Sequence, residues 1–152
     1  MNKEEIKCLK LAYKEALKAY FHNEIPVGAV LIDNDTKEVI AKSYNKKEKN
    51  SDATSHAEIN VIRKASKIRK NRRLENTTLY VTLEPCPMCM SAILQARISS
   101  LVYILDEKTM GACGSKLDLT KEIPSKTTIF KVDDIFNYKN LIEKFFKEKR
   151  NR

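Results

Sequence analysis

No stretch of this sequence approaches the ~18 consecutive apolar residues that a membrane-spanning helix needs. The first residues, Met1 to Glu5, include acids and no apolar segment of the signal-peptide type, so nothing in them suggests secretion. In a chain without an export signal, the four cysteines are expected to be reduced. These absences predict a cytoplasmic protein that has no membrane segment.

The chain also lacks internal repeats, low-complexity segments and any stretch with the composition of a linker. Its 42% hydrophobic and 32% charged residues are typical of a soluble globular protein. A domain of this length buries roughly 68 to 70% of its unfolded surface and needs no disulfides for stability. We therefore predict a single domain over residues 1–152.

Histidine is scarce, and this scarcity narrows the choice of metal ligands. The sequence contains only His22 and His56, and only His56 lies in a motif, Ser-His-Ala-Glu, that ends at Glu58. A Pro-Cys-Pro-Met-Cys segment follows about thirty residues later and supplies Cys86 and Cys89. His-x-Glu followed by Pro-Cys-x-x-Cys is a known signature of zinc nucleobase deaminases. The pattern predicts zinc on His56, Cys86 and Cys89, with a fourth position open as in catalytic sites.

A Cys-x-x-Cys pair alone is weak evidence, because redox sites and structural zinc sites also use it. A structural zinc would need a fourth protein ligand, and His22, Cys8 and Cys113 show no paired spacing. The acid of the first motif favours catalysis instead. Glu58 lies two residues after His56, close enough to the metal to move protons without being a ligand.

The hydrophobic periodicity predicts alternating helices and strands, with the ligands at helix N-termini that follow strands. Ser55 or Thr54 is the expected N-cap of the helix that carries Glu58, and Gly28 indicates either a close backbone approach or a bulge. Such an arrangement places the site at the carboxyl edge of the sheet. We predict a three-layer α/β/α fold with a mixed sheet of about five strands. The expected helices span 3–22, 56–70, 86–97 and 134–150, and the expected strands span 26–32, 39–44, 77–82, 101–105 and 128–132.

Positive charge is in excess, with 29 Lys and Arg against 20 Asp and Glu and a formal net charge of +9. Such an excess suits a polyanionic partner, although solvated lysines also serve solubility. The charges concentrate in a first basic cluster and a C-terminal basic cluster. The first comprises Lys64, Lys67, Arg69, Lys70, Arg72 and Arg73, and the second comprises Lys144, Lys147, Lys149, Arg150 and Arg152.

Over nearly its whole length the sequence resembles bacterial tRNA-specific adenosine deaminases, which belong to the cytidine deaminase-like superfamily. The segments that carry the resemblance are 24–30 (Glu-Ile-Pro-Val-Gly-Ala-Val), Asn45, 56–58, 78–86 with Met88-Cys89, the Gly-Ala-x-Gly-Ser at 111–115, and Phe145-Phe146. The zinc motif alone would indicate only the superfamily, and the Pro-Val-Gly-Ala-Val segment and the Phe pair narrow the resemblance to the adenosine deaminases.

The resemblance implies a cytidine deaminase-like fold with one zinc ion per chain on His56, Cys86 and Cys89. It implies hydrolysis of the wobble adenosine of a tRNA anticodon to inosine, with zinc-bound hydroxide attacking C6 and Glu58 as proton shuttle. Asn45 would hydrogen-bond the flipped base or its sugar. The protein would act as a homodimer that binds the anticodon loop across its subunit interface.

We further predict substrate contacts from Val27 and Ala57, and from Phe145, Phe146 and Arg150 in the final helix. Adjacent helical residues point about 100° apart, so one of the two phenylalanine rings should be buried and the other partly exposed. The segment 104–110 departs from the family pattern. The family has an Asp in this segment. It corresponds to Asp106 if the gap in the alignment is shifted, and to Glu107 if it is not.

Two alternatives come from different functional classes. The first is a deaminase of the same fold that acts on a free base or nucleoside such as guanine or cytidine. The second is a non-catalytic, zinc-stabilised RNA-binding module, which would have no use for the acid at Glu58.

Overall fold

The computed structural model describes residues 1–151; Arg152, a member of the C-terminal basic cluster, lies outside the described residues. Within them the chain forms a five-stranded sheet with flanking helices. The elements are α1 (Lys3–Phe21), β1 (Gly28–Asp33), β2 (Val39–Tyr44), α2 (Ala57–Arg69), β3 (Thr77–Leu83), α3 (Pro87–Gln95), β4 (Ser100–Leu105), α4 (Leu119–Glu122), β5 (Thr128–Lys131) and α5 (Tyr138–Arg150).

The sheet is mixed, in the strand order β2-β1-β3-β4-β5. β1 pairs antiparallel with β2, its hairpin partner, and antiparallel with β3. β3, β4 and β5 are parallel to one another, as expected where α3 crosses from β3 to β4. The carboxyl ends of β3 and β4 therefore meet at the same edge of the sheet.

Helices cover both faces of the sheet, and the alternation of side chains along β1 shows this directly. Ala29 and Leu31 join the core under α2 and α3, whereas Val30 and Ile32 join the core under α1. All four are almost fully buried. Because successive strand residues point to opposite faces, a strand buried on both sides lies in the middle of three layers. The predicted three-layer fold is confirmed.

Gly28 marks a close approach between β1 and α1. A Cβ atom at this position would lie 2.0 Å from the backbone oxygen of Ala12 and 2.5 Å from the backbone nitrogen of Ala16. Of the two interpretations of Gly28, the close approach is therefore the correct one. The irregularity of the β1–β2 pairing lies further along, between Leu31 and Ile32.

The last helix begins one turn later than the sequence predicts. Asp134 does not belong to α5, because its carboxylate accepts hydrogen bonds from the backbone N–H groups of Tyr138 (2.7 Å) and Lys139 (2.9 Å). Asn137 then adopts a left-handed conformation (φ 53°), which interrupts any helix that would start earlier. The short α4 was not predicted. Among residues 1–151, no helix is long and apolar enough to span a membrane.

Tyr138 fixes α5 to the strand end on which the candidate site depends. Its side chain is fully buried, and its hydroxyl donates a hydrogen bond of 2.6 Å to the backbone oxygen of Pro26. Pro26 directly precedes Val27 and β1, so the N-terminal end of α5 is held beside that edge of the sheet.

Candidate active site

The three predicted metal ligands lie at the starts of two helices. His56 is the N-cap of α2 and has extended backbone angles (φ −71°, ψ 154°), so it takes the place predicted for Ser55 or Thr54. Cys86 is the N-cap of α3 and Cys89 lies in its first turn, with Pro87 between them at a position where its missing N–H costs nothing. His56 precedes the regular part of α2. Its side chain can therefore point toward the metal position in a direction that regular helical geometry would not allow.

The spacing of the ligand atoms fits zinc. Nδ1 of His56 lies 3.6 Å from Sγ of Cys86 and 3.4 Å from Sγ of Cys89, and all three atoms lie within 4.8 Å of one another. Tetrahedral zinc with Zn–S near 2.3 Å and Zn–N near 2.0 Å requires ligand separations of about 3.5 to 3.8 Å. Two thiols and one imidazole are also a donor set that zinc prefers.

The side chains of His56, Cys86 and Cys89 are close enough to hydrogen-bond to one another at the position where a cation would bind. A hydrogen bond from the Cys89 thiol lowers the pKa of Cys86 to about 4, against the opposing effect of burial. The same hydrogen bond raises the pKa of Cys89 far above its usual range. A hydrogen bond to Cys86 raises the pKa of His56. Zinc binding displaces such protons, so the arrangement is that of ligands which exchange protons for a metal.

Glu58 lies beside the ligands but is not part of the metal-ligand group. Its side chain is 4% exposed, and burial raises the pKa of its carboxyl to about 7. A buried acid with this pKa can be found both protonated and ionised near neutral pH, as an acid–base catalyst requires. Glu58 also lines the cleft described next.

A cleft of about 510 Å³ at the carboxyl edge of the sheet is lined by two of the three ligands, His56 and Cys86, and by Glu58. Its volume lies in the range of small-molecule sites. The other lining residues come from five segments that are far apart in the sequence. They are Ile25 and Val27; Asn45 and Lys47; Leu83 and Glu84; Leu105, Asp106, Glu107, Thr109 and Met110; and Ile142 and Phe146 of α5.

Asn45 has the features of a substrate-binding residue. It is 4% exposed and lines the cleft, and its backbone N–H donates a hydrogen bond of 3.1 Å to the backbone oxygen of Val27. Its side-chain oxygen Oδ1 is buried and has no hydrogen-bond partner within residues 1–151. A buried oxygen without a partner costs about 1 to 3 kcal/mol, which a donor on a bound ligand would recover.

The other predicted substrate contacts lie in different surroundings. Val27 lines the cleft, whereas the side chain of Ala57 is fully buried in the core, so any contact from Ala57 has to come from its backbone. Phe146 is 39% exposed and lines the cleft; Phe145 is 5% exposed, so the split between the two rings is as predicted. Phe145 does not line the cleft, and its substrate contact stays a prediction. Arg150 is exposed in the last turn of α5, outside the cleft lining.

Glu84 is a site residue that the sequence analysis did not identify. It is 2% exposed, and its carboxylate accepts hydrogen bonds from the backbone N–H groups of Glu107 (3.0 Å), Cys113 (2.9 Å) and Ser115 (3.2 Å). The hydroxyl of Ser115 also donates to it. Gly111 is required beside it, since an added Cβ would lie 2.5 Å from the carboxyl carbon. One buried carboxylate thus holds the 107–115 loop, which forms a wall of the cleft.

Glu24 holds a second loop in the same way. It is 2% exposed and accepts hydrogen bonds from the backbone N–H groups of Glu48 (3.1 Å) and Lys49 (2.8 Å). These residues belong to the polar loop that follows Asn45. The only sign of Glu24 and Glu84 in the sequence was that each acid lies within a segment that carries the family resemblance. Their partners are loop backbones 23 to 31 residues away, which no local pattern reveals.

Both acids of the divergent 104–110 segment line the cleft, but both carboxylates are already engaged. Asp106 forms an ion pair of 2.9 Å with Lys131 on β5. Glu107 accepts hydrogen bonds from the backbone N–H groups of Thr109 (3.1 Å) and Met110 (2.6 Å) and so shapes its own turn.

The sequence matches known proteins of one family. A model of the cytidine and deoxycytidylate deaminase zinc-binding region matches residues 2–105. A tRNA-specific adenosine deaminase of Rickettsia bellii is 41% identical over 109 residues, which are 72% of this chain and 75% of that protein. A chloroplastic tRNA(adenine(34)) deaminase of Arabidopsis thaliana is 51% identical over 111 residues, which are 73% of this chain but only 8% of that much longer protein.

Solved structures with the same fold include two different activities. A structure from a study of A-to-I editing by tRNA:A34 deaminases at the wobble position is 37% identical, with a TM-score of 0.78, covering 85% of this chain and 99% of that one. A guanine deaminase from Bacillus subtilis is 30% identical, with a TM-score of 0.63, covering 100% of this chain and 96% of that one.

We predict that the folded protein holds about one zinc ion per chain and that His56→Ala and Cys86→Ala each lose it. Metal binding at such sites is coupled to folding, so both variants should also unfold at lower temperature. His22→Ala and Cys113→Ala make the same chemical changes outside the triad and serve as controls. Metal analysis that finds full zinc in the His56 and Cys86 variants would contradict the ligand assignment.

Proposed function

This chain belongs to the tRNA-specific adenosine deaminases, within the family that carries the cytidine and deoxycytidylate deaminase zinc-binding region, and from that membership we infer that it hydrolyses the wobble adenosine of a tRNA anticodon to inosine. The observation that carries this conclusion is a buried acid, Glu58, which lines a cleft beside a two-thiol, one-imidazole triad. A non-catalytic zinc module would have no use for that acid.

The residues of the cleft perform the proton transfers and the positioning. His56, Cys86 and Cys89 would hold a zinc ion, which would supply the Lewis acidity that makes water nucleophilic near neutral pH. Glu58 moves protons to a ring nitrogen of adenine and then to the departing ammonia, a role that its burial and its pKa suit. Asn45 offers its buried Oδ1 to a donor on the base or its sugar. Val27 lines the same cleft, and the backbone of Ala57 is a further proposed contact.

A nucleotide in a single-stranded loop is the substrate that this cleft can reach. The target atom of a base inside a duplex is inaccessible, and extruding the base costs least where it is already unpaired. His56, Cys86 and Glu58 line a cleft together with residues from five other chain segments, so a base has to leave its stack to enter it. An anticodon loop meets this requirement.

The other candidate is the deamination of a free base such as guanine, which one similar structure represents. The features at the mouth of the cleft favour RNA. Phe146, 39% exposed, lines the cleft on α5, and the last turn of the same helix carries Lys147, Lys149 and Arg150. An exposed ring can stack on a base while cations contact phosphates, which a free base lacks.

The two basic clusters differ in their relation to the site. The described members of the C-terminal basic cluster lie on α5, the helix that contributes Phe146 to the cleft. The first basic cluster begins in the middle of α2 at Lys64 and extends past the end of that helix, where Arg69 is about 20 Å along the helix from His56. Arg69 of that cluster is paired with Asp33. We therefore assign RNA binding near the active site to the C-terminal cluster, with Arg150 as a phosphate contact.

Three further features belong to the same proposal. The protein acts as a homodimer that binds the anticodon loop across its subunit interface, it is cytoplasmic, and residues 1–152 form one deaminase domain. The dimer rests on the resemblance to the family. The single domain is supported by the sheet, whose five strands come from residues 28 to 131 and carry core clusters on both faces.

We predict that Glu58→Gln keeps zinc and fold but loses about 10²- to 10⁴-fold in turnover of an anticodon stem-loop, because the amide cannot transfer the proton. Glu38→Gln, at the opposite edge of the sheet, is the matched control and should act like the wild type. Inosine formation, metal content and thermal unfolding are measured on all three proteins. Near wild-type turnover by zinc-loaded Glu58→Gln would remove Glu58 from the mechanism.

We also predict that Arg150→Ala weakens binding of tRNA and reduces the slope of log affinity against log salt by about one, as expected for the loss of one phosphate contact. Lys126→Ala removes an exposed cation before β5, at the opposite edge of the sheet, and should leave the slope unchanged. If both variants bind with the same affinity and slope as the wild type, Arg150 is only a solvated residue at a helix end.

A further inference from the structure

Asn60 lies in α2, one turn after His56, and the chemistry of the cleft does not use it. The backbone N–H of Asn60 donates a hydrogen bond of 2.9 Å to the backbone oxygen of His56. Asparagine is a poor residue for the interior of a helix, because its side chain competes for backbone hydrogen bonds. The residue is only partly buried, so packing in the core does not explain its presence either. The partners of its side chain explain it instead.

The side-chain amide of Asn60 joins two separate segments of the chain. Its nitrogen Nδ2 donates hydrogen bonds to the backbone oxygens of Tyr44, at 3.0 Å, and of Ser55, at 3.3 Å. Its oxygen Oδ1 accepts a hydrogen bond of 3.0 Å from the hydroxyl of Ser55, which is fully buried. Backbone oxygens can only accept, so the N–H groups have to face them. Neither an acid nor an apolar side chain of this size could replace the amide.

These hydrogen bonds connect the neighbours of two active-site residues. Tyr44 directly precedes Asn45, and Ser55 directly precedes His56. On the other side of Asn45, the backbone N–H of Lys46 donates a hydrogen bond of 2.9 Å to the same oxygen of Ser55. The chain is therefore attached, both before and after Asn45, to the residue that leads into His56.

The contacts of Asn60 matter because the surrounding chain has little core to hold it. β2 is an edge strand that ends at Tyr44, so it has a neighbouring strand on one side only. Residues 47–54, which follow shortly after Asn45, are all exposed or only partly buried. Glu24 holds that loop further along its length. Few buried apolar contacts make a segment mobile, so hydrogen bonds from Asn60 supply the order that packing does not.

We propose that Asn60 is a positioning residue, which holds Asn45 at a fixed distance and orientation relative to His56. The proposal rests on the proposed function, in which Asn45 contacts the nucleotide and His56 holds the metal ion. A nucleotide that contacts Asn45 is placed for reaction only if Asn45 keeps its position relative to that ion. Asn60 does not belong to the lining of the cleft, so it acts through these two residues.

A double-mutant cycle tests whether Asn60 acts through Asn45. In zinc-loaded protein, Asn60→Ala should raise the KM for an anticodon stem-loop by about five-fold, as expected for the loss of hydrogen bonds that hold a binding group. In a protein that already carries Asn45→Ala, the same substitution should change the KM by less than about two-fold, because no amide is left to position. Asn60→Leu fills the space that alanine leaves and should give the same result, since it loses the same hydrogen bonds.

A second measurement tests the connection to His56 and needs no substrate. Competition with a chelator gives the zinc affinity, which Asn60→Ala and Asn60→Leu should each lower by about ten-fold or more, as is usual when groups that orient a metal ligand are removed. Cobalt(II) bound in place of zinc gives a visible absorption spectrum that depends on ligand geometry, and its bands should shift or weaken in both variants. Because no RNA is involved, this result stands even if the wild type fails to deaminate the stem-loop and the proposed function is wrong.

Asn71→Ala is the matched control at the opposite end of α2. It makes the same substitution and removes a hydrogen bond of 3.0 Å that the backbone N–H of Arg73 donates to the side chain of Asn71, so the KM and the zinc affinity should stay unchanged. An equal effect of Asn60→Ala on the KM with and without Asn45→Ala would overturn the proposal. Unchanged zinc affinity and an unchanged cobalt spectrum would also overturn it, and would assign Asn60 to the stability of α2 alone.

Discussion

The site depends on bringing one imidazole and two thiols, from segments about thirty residues apart, to within bonding distance of a single ion. Two helix starts meet this constraint at one edge of the sheet. β3 leads into Cys86 and α3, while α2 packs beside α3 with His56 at its N-terminus. The parallel pairing of β3 with β4 fixes that edge, since both strands end there. Any change that shifts β3 along the sheet would move two ligands relative to the third.

Two buried carboxylates extend this constraint from the metal ligands to the walls of the cleft. Glu24 and Glu84 are both almost fully buried and accept hydrogen bonds from loop backbones on opposite sides of the site. A buried charge without such partners would be strongly destabilising, so each loop is held in one conformation by the acid it surrounds. The cleft can therefore be shaped before substrate arrives, with Asn45 adjoining one of these loops.

Metal chemistry and periodicity explain what could be predicted from the sequence. The zinc triad was identified because few residue patterns supply three such ligands, and the strands because their residues are β-branched and buried on both faces. The start of α5 was misplaced because the side chain of Asp134 takes the role of a preceding helical turn. Glu24 and Glu84 were missed because their partners are distant in sequence, and the burial of Phe145 depends on packing against Tyr20 of α1.

The most direct test of this account is to incubate the purified, zinc-loaded protein with a mixed tRNA pool and to sequence the RNA for adenosine-to-inosine changes. Ammonia release from guanine and from cytidine is measured with the same preparation. The account predicts inosine at the wobble position of one or more tRNAs and no ammonia from the free substrates. Ammonia release from guanine or cytidine, with every tRNA unchanged, would contradict it and favour a deaminase of free bases or nucleosides on the same fold.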